Sequence, residues 1–135
     1  MNMKVIQIFF TIAALWNITG AGGALLFPEF HTQLFFELSN SKFDIVAHVN
    51  TQAFWVSVLF FGVGYAIVAY NPRKNHGILL IAILGKLYVA VLWSYYWWNG
   101  KIKFFGLVGA VGDFVFALLF IAFLLWFWQR SKNND

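Results

Sequence analysis

Hydrophobic residues run almost unbroken through four blocks of this chain, 5–27, 51–70, 77–98 and 104–128, and polar residues collect between and beyond them. Each block is near the roughly 20 residues that a helix needs to cross a bilayer. Alternation of apolar and polar positions, the mark of a membrane strand, is missing, and an open sheet edge has no hydrogen-bond partners in lipid. The pattern therefore predicts an all-α integral membrane four-helix bundle, organised as a single transmembrane domain over residues 1–135.

The connections carry the remaining order. The loop 28–50 between the first two spans is longer than the usual link between helices. Pro28 suits a first helical turn, and Phe30, Leu34, Phe35 and Leu38 fall on one side while Glu29, Gln33 and Glu37 fall elsewhere, which predicts a short interfacial helix on the outer leaflet. Ser41-Lys42-Phe43-Asp44 matches a capping box, so the second long helix is expected to begin near Lys42. Asn71-Pro72-Arg73-Lys74-Asn75 and Asn99-Gly100-Lys101 read as tight turns. The first block has a rival reading as a signal peptide, with Lys4 as its charged start and Ala21-Gly22-Gly23-Ala24 as a cleavage region. A retained helix is preferred because the apolar run continues through Leu25, Leu26 and Phe27.

Composition agrees with the pattern, since 61% of residues are hydrophobic and 10% are charged, too little polar surface for a soluble domain. The net charge of +4 sorts by topology rather than by partner. With both termini in the cytoplasm of a bacterial inner membrane protein, Lys4, Arg73, Lys74, Arg130 and Lys132 lie inside and Lys42, Lys101 and Lys103 outside, a modest positive-inside bias. Trp93, Trp97 and Trp98 are expected to mark the outer interface, and Trp126 and Trp128 the inner one. Basic residues form no stripe, so nucleic acid is not an expected partner. With no cysteine there is neither a disulfide framework nor a thiolate metal site.

Two charges break the apolar blocks. Lys86 is the tenth residue of its block and Asp113 the tenth of the next. In antiparallel helices each lies roughly 14 Å inside the end at which its helix starts, and across a core about 30 Å thick they then differ in height by only about 2 Å. Each alone would add roughly 2.5 to 3.5 kcal/mol to insertion, so a mutual partner is the simplest account of both. Asn17 falls at a comparable depth and is expected to join them. Small and polar residues recur at helical spacing on what should be the inward faces: Ala13, Asn17, Gly20 and Ala24; Ala53, Ser57 and Gly64; Ala82, Lys86, Val89 and Trp93; Gly106, Gly109, Asp113 and Ala117. Structurally the ion pair fixes which helices adjoin. Functionally it forms a ligand-binding or proton-relay site of Lys86, Asp113 and Asn17.

A second set, His31, Glu37, Asp44 and His48, sits at the outer rim, with Asp44 and His48 four residues apart. Two histidines with carboxylates can bind zinc, or act as acid and base on a lipid head group. They lack an HExxH spacing, and no metal or cofactor is expected. A bis-histidine haem is disfavoured because no span carries a central histidine.

The plan of four spans in 135 residues, with Asn17-Ile18-Thr19-Gly20 in the first helix leading to Phe27-Pro28 and short later loops, resembles the DoxX-like group of small bacterial membrane proteins. That group's basic residue near the end of the first helix is replaced here by Gly22-Gly23-Ala24. The resemblance implies an accessory role beside a quinone-linked oxidoreductase. From the residues themselves the expectation is an accessory or ligand-binding membrane component without its own catalytic chemistry. Its partners would be the lipid bilayer, a membrane protein or a second copy of the chain, and a lipid or quinone ligand. The alternatives are a proton-coupled small transporter working as a dimer, in which Asp113 titrates against Lys86, and an intramembrane enzyme acting on a lipid or quinone through His48, Asp44 and His31.

Overall fold

Six helices carry the chain in the computed structural model, which describes residues 2–37 and 45–132. They are α1 (Met3–Leu26), α2 (Pro28–Phe35), α3 (Ile45–Tyr70), α4 (Pro72–Asn75), α5 (Gly77–Trp98) and α6 (Phe104–Lys132). Four of them, α1, α3, α5 and α6, are long and apolar enough to cross a membrane. The protein is a small multi-pass membrane protein. The capping box at Ser41 and the expected start near Lys42 lie outside the described residues.

Local chemistry sets the helix ends. Asn2 starts α1 by accepting a hydrogen bond from the Lys4 backbone N–H at 3.0 Å, and Asn71 starts α4 in the same way through Lys74. Pro28 and Pro72 open their helices, where a missing N–H costs nothing. At the end of α5 the Gly100 N–H reaches the Trp97 carbonyl and the Lys101 N–H reaches that of Tyr96. This is a Schellman ending, and its left-handed residue is Gly100 at φ +67°.

In the bundle α1 packs chiefly on α3, and α5 on α6. Ring contacts of Phe9 and Phe10 with Phe120 join α1 to α6. The outward faces are apolar too: Leu84 and Val91 are 71% and 70% exposed, as lipid-facing side chains should be. Because lipid tails are as apolar as leucine, burial from water does not hold such helices together, and close packing with a few polar links must do so. Packing forms two clusters. One, nearer the termini, contains Phe10, Tyr65, Leu79 and Phe120; the other, nearer α2, contains Ala21, Trp55, Trp93 and Ile102.

At the α2 end the chain adds a short stretch of strand-like pairing. Phe36 and Ile102 form an antiparallel bridge, with the Glu37 N–H on the Lys101 carbonyl at 3.0 Å and the Lys103 N–H on that of Phe35 at 2.8 Å. Lys103 Nζ also donates to the Gln33 carbonyl at 2.9 Å. These bonds satisfy backbone that would otherwise sit unpaired near lipid, and they tie α2 to the start of α6.

Three details differ from the sequence reading. The buried face of α3 is Trp55, Gly62, Tyr65 and Val68, whereas Ala53 is exposed and Ser57 borders the internal cavity. Large aromatic rings fill the inward face, and the small residues there were a poor guide to it. Trp93, expected both on the inward stripe and as an interface marker, is buried in the second cluster, whereas Trp97 and Trp98 are exposed. Finally, His31 of α2 is turned inward and buried, not left at a solvated rim.

Candidate functional site

Asn17, Lys86 and Asp113 each stand between the two clusters along their own helices: Ala14 and Ala21 flank Asn17, Ile83 and Trp93 flank Lys86, and Ala110 and Phe120 flank Asp113. The tertiary fold brings all three together. Lys86 Nζ donates to Asp113 Oδ1 at 2.5 Å and to Asn17 Oδ1 at 3.2 Å. The Asn17 amide nitrogen then donates to the Val58 carbonyl at 3.3 Å, so one side chain links α1, α3 and α5. Lys86 Nζ also lies 5.3 Å from the ring centre of Phe116 and 5.6 Å from that of Tyr65, within cation–π range. Removing an ion pair from water costs several kcal/mol per ion, and it is this set of acceptors and rings that offsets the cost.

The set is not sealed in the core. It lines a cavity of about 560 Å³, within the range of small-molecule sites. Asp113 keeps 19% of its side-chain surface and Lys86 only 5%, so the carboxylate is the more open partner. Aromatic rings, including Phe35, Phe54, Trp55, Phe61 and Trp93, form much of the remaining wall. A space of this kind takes an amphipathic molecule: rings and aliphatic surface accept its apolar part, and the ammonium, carboxylate and amide hold a polar atom.

His31 is at the other end of the same cavity. Its ring stacks on Phe35 at 4.1 Å between centres and meets Trp55 edge-on at 4.5 Å. The i, i+4 spacing of His31 and Phe35 in α2 sets up the stack. Burial pushes the His31 pKa down from the usual histidine value, favouring the neutral ring. Its Nε2 is buried with no hydrogen-bond partner among the described residues. The sequence places His31 in a rim set on a short interfacial helix; that its ring turns into the cavity wall is decided by the packing of α2 on Trp55.

The rim set does not assemble around it. Glu37 is exposed and its backbone is taken up by Lys101, His48 is half-buried on α3, and Asp44 lies outside the described residues. Among the described residues no three of His, Asp and Glu gather as a metal-holding group. His76, at the opposite end of the bundle, packs on Phe127 with ring centres 4.4 Å apart.

No family model, curated protein or solved structure matches the chain. Its functional reading therefore starts from the cavity and from the bonded Asn17, Lys86 and Asp113 in its wall.

Proposed function

We propose that this small multi-pass membrane protein is a ligand-binding component of a bacterial inner membrane, with both termini in the cytoplasm and no catalytic chemistry of its own. The observation that carries the reading is a hydrogen-bonded Lys86–Asp113–Asn17 group in the wall of a cavity of about 560 Å³ that is otherwise mostly apolar and rich in aromatic rings. Orientation of helices alone calls for no open space beside an ion pair, and this one borders the cavity. An ammonium has three N–H donors, and Asp113 and Asn17 take two of them. The third, with the free lone pairs of the carboxylate, holds the polar end of a lipid-soluble molecule. On the resemblance to DoxX-like proteins, the bound molecule would serve a neighbouring quinone-linked oxidoreductase.

Gentle extraction followed by mass spectrometry of bound small molecules and co-purifying proteins tests this. A lipid-soluble compound retained by the wild type and lost from Asp113→Asn and Lys86→Met supports the reading. Equal retention by all three ends it.

A second reading, the proton-coupled carrier, draws on the greater openness of Asp113 toward the cavity. It requires flux in sealed vesicles that follows a pH gradient and vanishes in Asp113→Asn.

A further inference from the structure

Of the two charges at the proposed ligand site, the carboxylate is the one presented to a ligand. The Lys86 ammonium is recessed, bonded to Asp113 and Asn17 and standing over the rings of Phe116 and Tyr65. Asp113 is the more open partner, and Lys86 bonds its Oδ1, which leaves the lone pairs of Oδ2 for another donor. A ketone, an ester or any other head that only accepts finds nothing to bond at a carboxylate. An anion is repelled by it. What remains is a neutral donor or a cation.

The rings beside Asp113 decide between those two. Gly109 and Gly112 lie within about one turn of it on α6, and an indole rests on each. A Cβ built on Gly109 would be 3.3 Å from Trp93 Cζ3, and one built on Gly112 would be 2.8 Å from Trp16 Cζ2. Both indoles line the cavity that holds Asp113, and Trp16 of α1 is 43% exposed, so it also reaches the lipid-facing surface of the bundle. Among aromatic side chains the indole attracts a cation most strongly, and more so away from water. A neutral hydroxyl needs one acceptor and has little use for such rings. Two indoles beside a carboxylate make a cage for an alkylated ammonium.

Resting on the ligand-binding reading above, we infer that the ligand is an amphiphilic organic cation whose polar head is a substituted ammonium, paired with Asp113 and covered by Trp16 and Trp93. The mostly apolar wall takes its hydrophobic body. Lys86, itself bonded to Asn17, fixes the carboxylate in place and is a positioning residue. A choline phospholipid does not fit, because its phosphate would bring a second anion up to Asp113. The cation is bound as it comes, and no bond is made or broken.

Three probes of similar shape test the charge. Full-length protein in lipid nanodiscs is titrated with (4-phenylbutyl)trimethylammonium, with its uncharged isostere carrying tert-butyl in place of trimethylammonium, and with the matching phenylalkanoate anion. Empty nanodiscs supply the correction for partition into lipid, and binding is followed by calorimetry and by quenching of tryptophan fluorescence. The wild type is expected to bind the cation about tenfold more tightly than the isostere, and the anion most weakly. Trp16→Leu weakens the cation about threefold to thirtyfold and leaves the isostere little changed, while Trp16→Phe, which keeps a weaker ring, falls between. Lys86→Met with Asp113→Leu, which leaves no unpaired charge, binds cation and isostere alike. Unfolding midpoints of the ligand-free variants check that each folds, and half-exposed Trp16 keeps the test open if the double variant does not. Isostere or anion bound by the wild type as tightly as the cation, or no loss in Trp16→Leu, overturns the ammonium head. Failure of the wild type to bind any of the three overturns it too. The reading beneath falls separately, when the extracted compound is retained equally by the wild type, Asp113→Asn and Lys86→Met.

Discussion

Gly62 of α3 stands against Asn17 of α1 so closely that a Cβ built on the glycine would lie 3.2 Å from the Asn17 Cβ and 2.7 Å from Ile18 Cγ1. The close approach is what allows the Asn17 amide to reach the Val58 carbonyl one turn away while its oxygen faces Lys86. Backbone as well as side chain blocks the space, since the Ile18 nitrogen is also at 3.2 Å. Gly62→Ala is therefore expected to push α3 from α1 and to cost about 1–3 kcal/mol, the usual range for overpacking. A lowered unfolding midpoint in detergent, together with weaker ligand retention, is the expected result. An unchanged midpoint would mean that the helices can part without cost.

Lys86 and Asp113 should behave as a unit. Lys86→Met leaves a carboxylate without its cation and is expected to lower stability by about 3–5 kcal/mol. The double change Lys86→Met with Asp113→Leu leaves no unpaired charge and should recover most of that loss. It should not recover ligand retention. Exchange of the two charges, Lys86→Asp with Asp113→Lys, distinguishes the roles further: regained folding without regained binding assigns the pair to the ligand, and regained binding assigns it to helix orientation alone.

Ile102 is 5% exposed and lies in the second cluster, beside the bridge to Phe36. Ile102→Ala removes packing under α2 and is expected to cost about 2–5 kcal/mol, as buried isoleucine truncations do. Proteolysis near the turn at Gly100 should quicken. Protection there equal to the wild type would show that the backbone bonds alone hold this end.

Acid should weaken the fold through His31. Its pKa in the folded protein lies below the ordinary value because burial disfavours the charged ring. The unfolded chain then binds more protons over the interval between the two values, so stability is lost as pH falls below about 6.5. Unfolding midpoints measured from pH 7.5 downward are expected to decline more steeply for the wild type than for His31→Phe. Parallel curves would remove His31 as the cause.

Absence of cysteine makes sidedness easy to measure. Single cysteines placed at Lys74 and at Lys101 occupy opposite ends of α5. Under the proposed topology an impermeant thiol reagent added to intact cells labels the cysteine at position 101 and spares the one at 74. The reverse pattern would place the termini outside.

Much of the layout was readable beforehand because insertion into a bilayer imposes length and depth on a sequence. Lys86 and Asp113, at equal distances along antiparallel helices, had to share a height, and the fold brings them together. Rotation was harder to read. A helix that is apolar all round has no stripe to mark its inward face: Ser57 lines the cavity as expected, but Ala53 is exposed, and Trp55 and Gly62 take up buried positions the small-residue spacing did not mark. Trp93 carried two expectations, an inward stripe and an interface marker, because an indole suits a packed core and an interface equally well, and its burial bears out the first.

From its sequence alone, this protein was determined to be four apolar helices with an opposite charge at the middle of each of the last two, since hydrophobic length and residue count need no partner to be read. Tertiary structure decided what those charges border. The cavity, the closeness of Gly62 to Asn17 and the inward turn of His31 depend on side chains far apart in the chain meeting across helices. Their rotations are set by packing, to which a uniformly apolar sequence gives no period.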